Sequence, residues 1–221
     1  VMAKITRFAL LITPMRAYFS RQHAWAFLLL IIFYKLGDAF AGSLTVTFLK
    51  TGVGFSQTEI GLANKVIGLF ATLIGAVIGG VMMSKMSLWR SLMVFGILQA
   101  VTNLGYWLLA VKGQGYLGGI PLSVEGLQVF FGSKPLTESM VHADVLLLLS
   151  VLLENLAGGM GTAALVAFLM ALCSDKHATA TQFALLSALA AIGRVYVGPS
   201  SGYISKAWGW PDFFLFSIAV A

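Results

Sequence analysis

From Ala24 to Leu49 the chain is almost continuously apolar, and the pattern returns over Ile60–Ser84, Leu88–Val111, Val145–Cys173 and Thr179–Ser205. A membrane helix needs roughly 20 mostly apolar residues, and each run meets that length. None alternates apolar with polar as a barrel strand would. The pattern predicts five complete membrane helices. A sixth begins near Phe213 and reaches only Ala221, which reads as a helix cut inside its span. The expected fold is an all-α polytopic membrane bundle over residues 24–221.

Composition agrees with the pattern. The chain is 59% hydrophobic and 10% charged, whereas a soluble domain carries about 25% charged residues. A net charge of +6 would suggest nucleic acid in a soluble chain. Here the basic residues cluster in particular loops, so they read as an orientation signal and no nucleic-acid partner is expected. Cys173 is the only cysteine and has no intrachain partner.

Residues 1–23 hold Lys4, Arg7, Arg16 and Arg21 without an acid. If the spans alternate, this segment falls on the same side as the 84–88 turn with Lys85 and Arg90, and the 174–178 turn with Lys176. The positive-inside rule places that side in the cytoplasm. Segment 1–23 then reads as a basic linker, or, through its FALLI stretch, as an amphipathic helix on the inner membrane face. Loop 112–144 is the one long connection. It is rich in Gly, with Pro121 and Pro135, and is expected to be either a small ordered external feature or an insert.

Two short motifs lack the context they need. GQGYLG at 113–118 matches a dinucleotide-binding glycine pattern, but a membrane helix precedes it and a Gly/Pro-rich loop follows. GPSSG at 198–202 matches a nucleophile elbow, but Ser200 lies in a membrane span and the histidines fall in or beside loops. The elbow segment reads better as small residues that let helices approach, with Pro199 adding a kink. Gly75 and Gly79 read as a second close-packing face. No H-x-x-x-H or C-x-x-C pair occurs, so no metal or cofactor and no enzymatic role are expected.

Five ionisable residues lie within the spans: Lys35, Asp38, Lys65, Glu154 and Arg194. A charge at a helix centre costs about 2.5–3.5 kcal/mol on insertion scales, so together they cost on the order of 10 kcal/mol. Such groups mark a polar pathway or satisfy one another. Lys35 and Asp38, three apart, meet on one helix face. They read as an internal ion pair or as cavity lining. Tyr34, Asp38, Ala41 and Thr45 form a stripe of helical period, so that face is expected to be polar. Glu154 and Asn155 precede a run of glycines, and Gln182, Ser187 and Arg194 share the fifth span. Arg194 reads as pathway or as a clamp on carbonyls near Pro199, and Lys65 as pathway or as a snorkelling lysine. Glu154 has no cation nearby in its own helix. It is the better proton carrier, because burial disfavours a carboxylate's charge. The expected substrate and proton pathway is therefore Tyr34, Lys35, Asp38, Lys65, Glu154, Asn155, Gln182 and Arg194.

The turn GGVMMSKMSLWR resembles a degenerate copy of the major facilitator signature. Gly80, Lys85 and Arg90 are in place, and Ser84 stands where an acid is usual. The strings YKLGDAF, GVGF, FGILQAVTN with LGYWLLA, ENLAGGMGT and ATQFALLSALAAIGRVYVGP are similar to the AmpG muropeptide permease family of that superfamily. The resemblance covers about residue 15 to the end and points to the C-terminal six-helix half. It implies a proton-driven importer of N-acetylglucosaminyl-1,6-anhydro-N-acetylmuramyl peptides in the bacterial inner membrane, feeding peptidoglycan recycling and β-lactamase induction. It also implies an N-terminal half as partner, with lipid around both. In that reading Lys35 and Arg194 meet peptide carboxylates, and Tyr34, Tyr106 and Trp107 stack on sugar rings. The alternative within the fold is an exporter or an acyl-coenzyme A carrier. A structural or sensing role is disfavoured by the cost of five central charges.

Overall fold

A computed structural model describes residues 16, 18–20, 22–123, 140–173 and 179–221. Most of the basic segment 1–23, the middle of loop 112–144 and the turn bearing Lys176 lie outside the described residues. Five helices are long and apolar enough to cross a membrane: Ala24–Val53, Gln57–Met83, Leu88–Lys112, Val145–Leu172 and Thr179–Trp208. A shorter apolar helix follows over Trp210–Val220.

The ends of the spans follow local chemistry. The first span runs past Leu49 through a π-helical turn over Phe48–Val53 and stops at Gly54, whose φ of 92° is the left-handed conformation glycine allows. Ser56 and Glu59 then form a capping box: the Ser56 amide donates to Glu59 Oε2 at 2.9 Å and the Glu59 amide to Ser56 Oγ at 3.2 Å. The box opens the second span at Gln57, ahead of the expected Ile60, by pairing two otherwise orphaned amides. The sixth helix starts at Trp210 rather than Phe213, because Gly209 at φ 82° breaks the chain and Pro211 fits the first turn. The fifth span continues as one helix through Pro199.

Loop 112–144 contains a two-stranded antiparallel sheet, β1 over Gly119–Ser123 and β2 over Met140–Asp144, in the register Gly119–Asp144 to Ser123–Met140. Asp144 joins this hairpin to the fourth span. Its carboxylate is buried, taking the Leu147 amide at 2.9 Å as a helix cap and the Gly115 amide at 2.6 Å. GQGYLG is thus a glycine-rich connection between a membrane helix and β1, with no strand before it.

The second span lies along the fourth, which also packs on the third. The first packs on the fifth, and the sixth helix packs on the first and third spans. The closest seam is between the second and fourth spans. A Cβ on Gly75 would run into the Leu156 carbonyl, one on Gly79 into Met160, and one on Gly159 into the Thr72 carbonyl. Small residues here bring backbones into contact without a hydrophobic driving force between helices. In the fifth span the matching contact is Gly193 against the Ile32 carbonyl. The GPSSG stretch contributes buried Ser201, whereas Gly202 faces open space. Two apolar clusters flank the bundle centre. One is built on Phe48, Tyr106, Phe213 and Phe214, the other on Ile31, Phe95, Met160 and Phe168.

Two outcomes follow from this packing. Gly159→Ala is expected to lower thermal stability in detergent by about 1–3 kcal/mol, the usual overpacking cost. Gly80→Ala, whose Cβ meets open space, is expected to be neutral or stabilising by up to about 1 kcal/mol. Equal melting temperatures for the two variants would refute the seam. Asp144→Ala is expected to cost about 1–2 kcal/mol through the lost helix cap and to raise protease sensitivity of the hairpin, with Asp144→Asn milder in both readouts.

Candidate functional site

The first span is not one smooth helix. Its first segment ends with the Tyr34 amide donating to the Leu30 carbonyl at 2.8 Å, Lys35 adopts φ −109° and ψ 12°, and a new helix begins at Leu36. The break turns the Lys35 ammonium inward. It donates to Asp38 Oδ2 at 2.8 Å, to Gln99 Oε1 at 2.6 Å and to the Gly158 carbonyl at 3.3 Å. An ammonium has three donors, so this one is fully matched. The pair is mostly buried, with side-chain exposures of 16% and 17%. Gln99 is held in turn by its own amide on the Phe95 carbonyl at 3.0 Å. Gly161 leaves the room it needs, because a Cβ there would collide with its side chain.

Around this pair lies a cavity of about 520 Å³. The first span contributes Lys35, Asp38, Gly42 and Ser43, and the second contributes Thr72. The fourth gives Glu154, Asn155, Gly158 and Thr162, and the fifth gives Arg194. All sit well inside their spans. Glu154 Oε2 accepts from the Asn155 side-chain amide at 2.8 Å, and the Asp38 and Lys35 charges and the hydroxyl of buried Tyr106 are within electrostatic reach of it. Asn155 also donates to the Val151 carbonyl at 2.9 Å, and its Oδ1 lies 3.1 Å from the Thr72 hydroxyl. Among the described residues the Arg194 guanidinium has neither an ion pair nor a hydrogen bond.

The structure therefore brings Lys35, Asp38, Glu154, Asn155 and Arg194 to one cavity. The other three residues singled out from sequence lie elsewhere. Tyr34 sits at the helix break and donates to the Leu92 carbonyl at 3.2 Å. Lys65 lines a neighbouring groove that shares Thr72 and Asn155 with the cavity. Gln182 is buried in the fifth span, twelve residues and so about 18 Å of helix away from Arg194. The expected polar stripe is corrected. Ala41 and Thr45 are buried, with Thr45 Oγ1 donating to the Ala41 carbonyl at 2.7 Å, and Gly42 and Ser43 line the cavity instead. Asp38, Ala41 and Thr45 share the unbroken helix Leu36–Thr47, but Ala41 and Thr45 are packed into the protein. Tyr106 is corrected as well: it is 1% exposed and stacked on Phe214 at 5.7 Å, so it offers no face to a sugar. Gln99 is not among the residues singled out from sequence; its only sequence signal is an amide inside the apolar run FGILQAVTN.

No family model matches the chain. Curated proteins do. The anhydromuropeptide permease of Escherichia coli strain K12 is 50% identical over 210 residues, 95% of this chain and 37% of that protein. The protein designated AmpG 4 in Rickettsia conorii is 32% identical over 210 residues, 95% of this chain and 44% of its own length. The chain thus spans less than half the length of these relatives, and the match to the permease lies in its C-terminal part. With five membrane-spanning helices and permeases as relatives, the chain is a multi-pass inner-membrane protein. Over 95% of its length the chain is similar to AmpG permeases, and the match lies in the C-terminal part of those proteins.

Proposed function

We propose that the chain forms the C-terminal half of a proton-driven importer of N-acetylglucosaminyl-1,6-anhydro-N-acetylmuramyl peptides, with an N-terminal half closing the other side of the cavity. It is a transporter and not an enzyme. The observation that carries the reading is the mid-span cavity in which Glu154 and Arg194 stand beside the closed Lys35–Asp38 pair. Secondary transporters bind cargo and coupling ion near the bilayer midplane between repeated halves. The name of the Escherichia coli relative supplies the substrate class. Residues 1–23 then form the cytoplasmic link between halves. The imported products feed cell-wall recycling and, through it, β-lactamase induction.

The residues divide the work by their partners. Arg194, with no bond of its own among the described residues, receives a peptide carboxylate through its planar donor fork. Asp38 is committed to an ammonium at 2.8 Å. Glu154 accepts from the neutral Asn155 amide and has no ion pair among the described residues, and so is the carboxylate that loads and releases the proton.

The test is uptake of labelled anhydro-disaccharide peptide by the full-length transporter in proteoliposomes under an imposed proton gradient. Glu154→Gln is expected to abolish gradient-driven accumulation while keeping exchange of internal for external substrate. Arg194→Ala is expected to raise KM about tenfold, the loss of one charge-assisted contact. Asp38→Asn leaves the Lys35 charge unpaired and is expected to destabilise the protein by on the order of 3 kcal/mol. No uptake by folded wild-type protein would sink the muropeptide assignment and favour another cargo. Gradient-driven accumulation by Glu154→Gln would take the proton role from that residue.

A further inference from the structure

The second span carries a charge that the cavity leaves unused. Lys65 is exposed, and among the described residues its ammonium has no ion pair or hydrogen bond. It stands eight residues into the span, about 12 Å along the axis, farther than a lysine stem reaches to the span's start. Glu59, the acid nearest that start, is occupied by its capping box. An unmatched ammonium at this depth marks a ligand pathway by default.

The local backbone is built around this position. Leu62–Gly68 is π-helical, and single π turns inside α-helices concentrate at functional sites. The turn faces a groove of about 430 Å³ lined by Asn64, Lys65, Gly68, Leu69, Thr72 and Asn155. Among the described residues Lys65 is its only charged lining residue. Gly68 keeps the floor clear, because a Cβ would come within 3.3 Å of the Asn155 side chain. Thr72 and Asn155 also line the central cavity, so the two spaces meet across one hydroxyl and one amide.

We propose that this groove is a second anion subsite, in which Lys65 takes one carboxylate of an elongated ligand whose other carboxylate lies at Arg194. The ligand then crosses the Thr72–Asn155 threshold with its neutral part, where a hydroxyl and an amide suit sugar or peptide groups. Two separated cations read the spacing of two acids, which a single cation cannot do. The identity of the ligand rests on the transport reading above.

Calorimetric titration of the purified full-length transporter tests the subsite apart from transport. The probes are the anhydro-disaccharide tripeptide with free carboxylates and analogues with one carboxylate at a time converted to carboxamide. Lys65→Gln is expected to weaken the free-acid ligand about tenfold. It should cause no further loss for the single analogue whose missing charge is the partner of Lys65. Lys65→Arg should hold most of the affinity. Wild-type affinity of Lys65→Gln for every probe, an equal loss for all of them, or no binding by folded wild type would each overturn the subsite. Parallel uptake assays separate the two readings: charge-selective binding without gradient-driven uptake sinks the transport reading alone, and normal uptake with an indifferent Lys65→Gln sinks the subsite alone.

Discussion

The Lys35 ammonium sets the terms for the centre of this bundle. A charge inside a membrane span must find partners within the protein or face a water-filled cavity, since lipid offers none. Asp38 neutralises it, and the Gln99 and Gly158 oxygens take its remaining donors. These partners come from the first, third and fourth spans. Three helices are therefore tied at one point by bonds that exclude other registers. The helix break at Lys35 and the missing side chain at Gly161 both serve that geometry.

The glycine seam between the second and fourth spans has the complementary role. Backbone contact at Gly75, Gly79 and Gly159 sets these helices close together, and that approach brings Thr72 within hydrogen-bonding distance of Asn155. The polar lining of the cavity is thus a consequence of packing as much as of composition. Asn103 shows the cost of polar groups placed without such support. It is fully buried at the junction within the third span, and among the described residues its side-chain amide has no hydrogen-bond partner, a rare condition in folded proteins.

What was legible in the sequence follows the size of each energetic penalty. Lys35, Asp38, Glu154 and Arg194 stood out because charge in an apolar run is expensive. The five long apolar spans were legible too, since length and hydropathy alone decide them. Gln99 was silent because an uncharged amide is cheaper to insert and could be placed anywhere. The break at Tyr34–Lys35 was invisible too, as FYKLG carries no proline and its glycine lies beyond the turn. Ala41 and Thr45 follow Asp38 on the unbroken helix Leu36–Thr47, but the fifth span and the sixth helix, remote in sequence, pack on that helix and these two residues are buried. Tyr106 was misplaced because the ring that covers it, Phe214, is remote in sequence.

A distinction among the charges follows from their bonding. A cation whose donors are all filled binds cargo only after breaking bonds within the protein, so the energy gained is returned almost in full. Lys35 is in that position, and its role is to hold the helices and fix Asp38. Arg194 and Lys65 carry no such bonds among the described residues, and an incoming acid meets them without first breaking a bond within the protein. Glu154 lies between these extremes, anchored by neutral donors that tolerate either protonation state. The same five costly residues thereby separate into a closed framework and an open working set. Saturation of hydrogen bonds, rather than charge itself, draws the line between them.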